Sequence, residues 1–379
     1  MSVCTGLIVA NIYYAQPLVI LISREFGVAE SAAGTISFCT QLGYALGLLF
    51  LVPLGDKLER RRQILVTAAV SIAALAAAAL SPNLLVLQVA CVLIGCTSIV
   101  PQLILPLAAH LARPEKRGSV VGIVMSGLLV GILLSRTVSG FVGAWLGWRA
   151  MFWIAAGLTG NLLFFMRLAF PQSRPSYTGN YATLMRSLLT LVKEQPLLRE
   201  ASAINALTFV SFGMFWTTMV LHLSGAPFHY HSDTIGLFGL AAAAGALLAP
   251  LIGGIADRGN PRVAIGYGLA AVAVSMVVFF LWGGSVAGML TGIVLLDLGQ
   301  QSVHVSNQAR IYTLMPEARN RINTVYMTIS FLGTASGSAL GLFVWDRFGW
   351  PGICIMGLTA VGLAFTVYAS TYRRSRPRA

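Results

Sequence analysis

Residues 84–109 read LLVLQVACVLIGCTSIVPQLILPLAA, a stretch without a charged side chain. As an α-helix this stretch would extend about 39 Å, more than the roughly 30 Å thickness of a bilayer's hydrocarbon core. A turn-forming Ser81-Pro82-Asn83 precedes it, and basic residues follow it at Arg113 and Lys116. The pattern predicts a membrane-spanning helix, and it decides the fold class because similar runs recur along the whole chain.

Eleven further apolar runs are separated by charged or turn-forming residues. Together with the first run they predict twelve membrane-spanning helices, at about 2–22, 31–54, 63–80, 84–109, 119–141, 150–170, 198–222, 233–255, 262–282, 286–309, 322–344 and 351–371. Of the 379 residues, 57% are hydrophobic and 10% are charged, against roughly 25% charged in an ordinary soluble domain. The fold class is therefore an all-α membrane protein, and a water-soluble fold is excluded.

The basic residues are distributed unevenly between the two sides of the membrane. If both termini are cytoplasmic, 21 of the 25 Lys and Arg lie in cytoplasmic segments. This bias predicts a multi-pass membrane protein with both termini in the cytoplasm. The net charge of +13 does not indicate a nucleic-acid partner, because the basic residues alternate with apolar runs instead of gathering on one soluble face.

Several landmarks recur at a nearly constant spacing, which indicates an internal repeat. The pairs, each 201 or 202 residues apart, are Asp56 and Asp257, Pro114-Glu115-Lys116-Arg117 and Pro316-Glu317-Ala318-Arg319, and Gly147-Trp148 and Gly349-Trp350. The spacing predicts two parallel repeats of six helices each. The expected organisation is an N-terminal bundle at 1–170, a cytoplasmic linker with an amphipathic helix at 171–197, and a C-terminal bundle at 198–379.

Small residues and tryptophans indicate which helix surfaces face protein and which face the membrane boundary. Glycines four residues apart predict closely packed helix faces at Gly43 and Gly47, at Gly127 and Gly131, and at Gly333, Gly337 and Gly341. Tryptophans near predicted outer helix ends are expected to anchor the protein at headgroup level, namely Trp145, Trp148, Trp282, Trp345 and Trp350.

The loop after the second run carries the most specific motif. It reads VPLGDKLERR at 52–61, and GGIADRGNPR at 253–262 occupies the corresponding loop of the second repeat. The motif resembles the signature G-x-x-x-D-[RK]-x-G-[RK]-[RK] of the major facilitator superfamily, in particular its twelve-helix drug:proton antiporter-like branch, at the acid and the basic cluster. The resemblance implies a cytoplasmic gate made by Asp56, Arg60, Arg61, Asp257 and Arg258. An open alternative is that the loop only orients the protein through its positive charges.

The resemblance covers essentially the whole chain and implies a secondary active transporter. The implied activity is export of a small organic solute by proton antiport with alternating access. Uptake or facilitated diffusion of a metabolite, or a shortened remnant that no longer transports, stays open as an alternative. The sequence holds no nucleotide-binding or catalytic motif, so we expect no enzyme activity, cofactor or metal. The expected partners are the lipid bilayer, the solute and protons, and the protein is expected to act as a monomer.

One acidic residue lies near the middle of a predicted span. Asp297 belongs to the run 286–309, where an ionisable side chain is costly and marks a functional site by default. We interpret it as a proton-coupling residue. Asp297, Gln301 and His304 follow at helical spacing and share a face, which makes His304 a second proton-coupling candidate. A hydrogen-bonded packing role for His304 is the alternative.

Neutral amides and aromatic side chains are candidates for a central solute cavity. They are Asn11, Tyr14, Gln41, Tyr44, Asn205, Gln301, Asn323 and Tyr326. Such groups suit an uncharged or cationic amphipathic solute. Alternatively, some of them form hydrogen bonds that hold helices together.

A single arginine, Arg136, lies within a predicted span. At 18 residues from Gly118, about 27 Å along an ideal helix, it is expected to reach the outer interface by snorkelling. The alternative is an inward arginine that holds an anionic group or pairs with Asp297.

Overall fold

The structure, a computed structural model, describes residues 1–113, 116–172, 179–257, 261–315 and 318–374, and for 117, 246–257 and 372–374 it describes the backbone only. Across these ranges the chain is helical and contains no β-strand. Nine segments of this described part are long and apolar enough to cross a membrane. Helical chain also covers the remaining apolar runs. The predicted all-α membrane fold is confirmed.

The first of two compact units comprises Met1–Met185 and Tyr230–Gly239. Its helices are α1 (Ser2–Ala10), α2 (Val19–Phe26), α3 (Glu30–Phe50), α4 (Leu54–Lys57), α5 (Arg60–Ala79), α6 (Leu84–Thr97), α7 (Val100–Leu111), α8 (Arg117–Leu146) and α9 (Trp148–Ala169).

The second unit comprises Arg186–His229 and Leu240–Ala379. Its helices are α11 (Pro196–Ser224), most of α12 (Ser232–Asp257), α13 (Pro261–Trp282), α14 (Val286–Ile311) and α15 (Arg319–Arg374). Segment α15 consists of two helices that meet at Gly349, where the backbone is not helical. Helix α10 (Tyr181–Glu194) begins in the first unit and ends in the second.

The first predicted span is not one continuous helix. Helix α1 ends at Ala10, a turn follows, and a short 3₁₀-helix around Pro17 leads into α2. In the turn, the N–H groups of Asn11, Ile12 and Tyr13 donate to carbonyl oxygens three residues earlier. Pro17 contributes to this interruption, because it lacks the N–H that would donate to the Tyr13 carbonyl oxygen in a continuous α-helix.

The fourth predicted span is also interrupted. Helix α6 ends at Thr97 and α7 begins at Val100, with Pro101 in the first turn of α7. A proline is accommodated there because the first N–H groups of a helix have no partner within that helix. The apolar run was therefore sufficient to predict helical structure, whereas the position of the break depended on Pro101.

Corresponding helix pairs of the two units pack in the same way. In the first unit, a Cβ atom on Gly43 of α3 would overlap the carbonyl oxygen of Val92 in α6. In the second unit, a Cβ atom on Gly245 of α12 would lie 2.5 Å from the carbonyl oxygen of Val294 in α14. Both residues of the second pair stand 202 positions after those of the first. The internal repeat thus extends to individual backbone contacts.

The predicted glycine faces are confirmed as close helix contacts. Glycine permits them because a Cβ atom at each position would meet the backbone or side chain of a neighbouring helix. Gly43 and Gly47 face Val92 and Cys96, Gly127 and Gly131 face Ser2 and Gly6, and Gly333, Gly337 and Gly341 face Ala206, Val210 and Met214.

The repeated Gly-Trp pairs form buried helix starts. Gly147 has φ 82° and Gly349 has φ 57°, a conformation that glycine adopts without the strain of a Cβ atom. The following residues, Trp148 and Trp350, are buried. Trp148 donates to Glu25 at 2.5 Å. The prediction that these two tryptophans anchor the protein in the membrane interface is therefore wrong, because their rings pack within the protein.

The segment after α9 contains the amphipathic helix α10. Its Leu184, Leu188 and Leu191 side chains are buried, and the Tyr181 hydroxyl donates to the Phe50 carbonyl oxygen at 2.8 Å. Spacings of four and three residues place the leucines on one face of the helix. The leucine face of α10 therefore packs against other residues of the protein.

Candidate functional site

Asp297 lies near the centre of α14 and is 6% exposed. Gly245 of α12 stands beside it, since a Cβ atom on Gly245 would lie 3.0 Å from the Asp297 Cβ atom. The two backbones approach closely at this point because α12 has no side chain here. An ionisable side chain within a membrane helix is costly and marks a candidate functional site. The position therefore suits a group that binds and releases a proton.

Two further amides of α14 are buried, one of them a single helical turn from Asp297. Gln300 is 3% exposed, and within the described residues neither atom of its amide has a hydrogen-bond partner. Asn307 is fully buried, and its Oδ1 accepts from Arg310 at 3.2 Å. Gln301 is only half-buried. The helical spacing predicts Gln301 as a site residue, but the structure buries the neighbouring Gln300 instead.

His304 lies among groups from three helices. Its Nδ1 atom is 3.2 Å from Nδ2 of Asn205 in α11, and its ring is stacked on Tyr326 of α15 with centroids 5.4 Å apart. The Tyr326 hydroxyl donates to the His304 carbonyl oxygen at 2.9 Å. The structure thus brings together three of the predicted site residues.

Asn323 has a different environment from the other candidates. Its Oδ1 atom accepts from Gln308 and from the Tyr312 hydroxyl, both at 3.0 Å. These contacts connect the end of α14 with the start of α15. The amide oxygen of Asn323 therefore already accepts hydrogen bonds from other protein groups.

The four candidates of the first unit are all buried. Asn11 lies in the turn after α1, and neither of its amide atoms has a hydrogen-bond partner in the described part of the chain. The Tyr14 carbonyl oxygen accepts from Ser139 at 2.5 Å. Gln41 and Tyr44 lie on α3, and the Tyr44 hydroxyl is 3.3 Å from the Gln102 amide. The turn thus holds both polar atoms of the Asn11 amide in a buried position.

Arg136 of α8 is 4% exposed. Its Nε atom donates to the Gln16 side chain at 2.8 Å, and its guanidinium lies 4.7 Å from the centre of the Tyr13 ring. The expectation that Arg136 snorkels to the outer interface is therefore wrong. The interrupted first span provides the reason, since it presents a polar and an aromatic side chain to α8.

Charged side chains within the loop at 52–61 stabilise the loop by an ion pair and hydrogen bonds. Asp56 pairs with Arg60 at 3.3 Å, and Glu59 caps α5 by accepting the N–H groups of Arg61 and Arg62. Arg61 also donates to the Arg167 carbonyl oxygen at 2.5 Å. In the corresponding loop of the second repeat, Asp257 has only its backbone described and Arg258 lies outside the described residues.

A buried cluster of charges lies at the ends of three helices in the second unit. Oε1 of Glu200 in α11 is 2.6 Å from Arg262 in α13 and 3.0 Å from Arg310 in α14. All three side chains are about one-tenth exposed. From the sequence, the two arginines were recognisable only as positive charges on the cytoplasmic side. No local pattern connects them with Glu200, which lies 62 and 110 residues away.

We expect Glu200→Ala to lower the free energy of unfolding by about 3 kcal/mol, because removing one partner leaves buried charge uncompensated. Thermal unfolding in detergent, followed by circular dichroism, measures the change. Glu194→Ala, at an exposed carboxylate at the end of α10, is the matched control. Equal stability of the two variants would show that the cluster does not support the fold.

Long apolar helices with buried acidic, basic and amide side chains define the protein as a multi-pass membrane transporter. The Major Facilitator Superfamily model matches residues 1–335 and again residues 201–379. The chain belongs to this superfamily and is a transporter, not an enzyme.

Several relatives and structures are similar to the chain over most of its length. The uncharacterized transporter YgaY of Escherichia coli O157:H7 is 42% identical over 374 residues, which cover 99% of the chain and 95% of the relative. A probable sugar efflux transporter of Helicobacter pylori is 24% identical over 90% of the chain and 86% of the relative.

A chloramphenicol resistance protein of Streptomyces lividans is 28% identical over 64% of the chain and 62% of the relative. The crystal structure of a bacterial homologue of the human lysosomal transporter Spinster covers 100% of the chain and 97% of its own, with a TM-score of 0.78 at 13% identity. The structural likeness shows the fold.

Proposed function

We propose that the protein exports a small organic solute in exchange for protons, by alternating access. The observation that carries the proposal is Asp297, a buried carboxyl group in the middle of a membrane helix. Holding a carboxylate in the membrane is costly, and such residues commonly mark proton or ion pathways. Gly245 brings α12 against the acid, so a movement of α12 would change the surroundings of the carboxyl group.

The proposed solute is uncharged or cationic and carries hydrogen-bonding groups. The buried amides of Asn11 and Gln300 support this class, since each retains donor and acceptor capacity within the described chain. Such groups recognise a polar solute without requiring a negative charge. Export is supported by relatives described as a sugar efflux transporter and a chloramphenicol resistance protein.

The proposed location is the bacterial cytoplasmic membrane, with both termini in the cytoplasm. The distribution of Lys and Arg supports this orientation. We also propose that the proton gradient supplies the energy, that the loop with Asp56 acts in the cytoplasmic gate, and that a monomer is sufficient for transport.

The direction of coupling can be tested in vesicles that contain purified protein and have an acidic interior. With proton antiport, chloramphenicol or a labelled sugar accumulates inside, because protons leave as solute enters. A protonophore is expected to abolish the accumulation. Depletion of solute from the acidic interior would instead indicate proton symport, and transport unaffected by the protonophore would indicate facilitated diffusion. Either result would contradict the proposed export mechanism.

A further inference from the structure

One side-chain amide connects three helices of the second unit. Nδ2 of Asn205 in α11 lies 3.2 Å from Nδ1 of His304 in α14 and 2.6 Å from Oγ of Ser330 in α15. The Ser330 hydroxyl in turn donates to the Tyr326 carbonyl oxygen at 2.7 Å. Asn205 is fully buried. The network is therefore shielded from direct competition by bulk water.

The donors and acceptors of this network define one protonation state. An amide nitrogen can only donate, so Nδ1 of His304 accepts the hydrogen bond and the ring proton lies on Nε2. Ser330 can accept from Asn205 because its own proton goes to Tyr326. Within the described residues, Oδ1 of Asn205 has no hydrogen-bond partner. The arrangement thus fits neutral His304.

A proton on Nδ1 of His304 would reverse these requirements. The protonated nitrogen becomes a donor and faces the Asn205 nitrogen, which is also a donor. Rotating the amide by half a turn places Oδ1 opposite both His304 and Ser330. Oδ1 can then accept from both, and the Ser330 proton leaves the Tyr326 carbonyl oxygen. The amide therefore has two orientations, each suited to one charge state of His304.

In the described part of the chain, few titratable groups contact the His304 ring. Asn205 and Phe209 contact it from α11, and neither titrates. From α15 the titratable group that contacts the ring is Tyr326, and Arg310 and Tyr312 interact electrostatically with Tyr326. On α14 itself, Asp297 lies seven residues earlier, about 10 Å along the helix. All of these groups belong to the described part of the chain.

We propose that Asn205, with Ser330, is a switch that follows the protonation of His304 and changes the hydrogen bonds between α11, α14 and α15. Asn205 is a positioning residue, because it acts through His304. The proton exchanges with water at Nδ1 in a state of the transport cycle in which α11, α14 and α15 separate and open the network. The role of the switch in transport rests on the proton antiport proposed above.

Nuclear magnetic resonance of protein labelled with ¹⁵N in histidine rings and asparagine side chains tests the switch. His304→Gln and Asn205→Leu identify the two signals by their loss. We expect neutral His304 to carry its proton on Nε2, and the Asn205 amide signal to shift with the same pH midpoint as the His304 ring. His304→Gln is expected to remove that shift. Asn161, an exposed amide bonded to its own helix, should not follow the titration and is the internal control.

Two results would overturn the switch. One is neutral His304 with its proton on Nδ1, and the other is an Asn205 signal that stays constant while His304 titrates or throughout the pH range in which the protein is folded. The measurement needs neither a gradient nor a solute. Failure of the switch is therefore distinguished from failure of proton antiport, which the vesicle assay reports separately.

Discussion

Asp297→Asn is expected to abolish solute accumulation driven by a pH gradient. A difference of one pH unit corresponds to about 1.4 kcal/mol, so exchange of one proton for one solute supports about a tenfold solute gradient. Asparagine has nearly the shape of protonated aspartate but cannot release a proton. The accumulation ratio in vesicles with an acidic interior is therefore expected to fall to about one, and solute-induced proton flux, followed with a pH-sensitive dye, is expected to disappear.

Asp346→Asn makes the same chemical change at an exposed position and should retain both the gradient and the proton flux. Equal amounts of folded protein must be present in each vesicle preparation, as measured by size-exclusion chromatography. If Asp297→Asn still builds the wild-type gradient, Asp297 does not carry the coupled proton.

Gly43→Leu is expected to prevent folding of the first unit. A Cβ atom at this position would overlap the Val92 carbonyl oxygen, and the atoms it meets belong to the backbone of α6. Backbone cannot move aside as a flexible side chain can, so α3 and α6 would have to separate. Even Gly43→Ala should cost about 1–3 kcal/mol, the usual range for overpacking. The amount of monodisperse protein extracted from membranes measures the effect.

Gly157→Leu is the control for this substitution. Gly157 also lies within a helix, α9, but it is exposed and a Cβ atom there would meet nothing within 4 Å. Its yield should remain close to that of the wild type. Comparable losses for Gly43→Leu and Gly157→Leu would mean that leucine disturbs the helix itself, not the contact between α3 and α6.

The fold was largely predictable from the sequence because it depends on local signals. A run of uncharged residues specifies a helix in a membrane, where every backbone polar group must be satisfied internally. The glycine spacing likewise indicated which faces pack, and the Gly43 and Gly333 faces both do so. Pro17 and Pro101 were also visible, but whether a proline bends or interrupts a membrane helix depends on the neighbouring residues that satisfy the freed groups.

The candidate site was less predictable because its partners are distant in sequence. Asp297 was recognisable on its own, since the cost of a membrane carboxyl group needs no partner to be noticed. The hydrogen bonds of Asn205 with His304 and Ser330 span 99 and 125 residues, and no periodicity connects such positions. The burial of Arg136 depended on a break in another helix, so counting residues along α8 could not predict which groups Arg136 contacts.

The equivalent contacts of Gly43 with Val92 and of Gly245 with Val294 place Asp297 at the position that Gly95 occupies in the first repeat. Codons for glycine and aspartate can differ by a single base in the second position. A gene duplication followed by one point mutation is therefore sufficient to convert two equivalent glycines into one glycine and one acid. An asymmetric transporter can arise in this way from a symmetric ancestor.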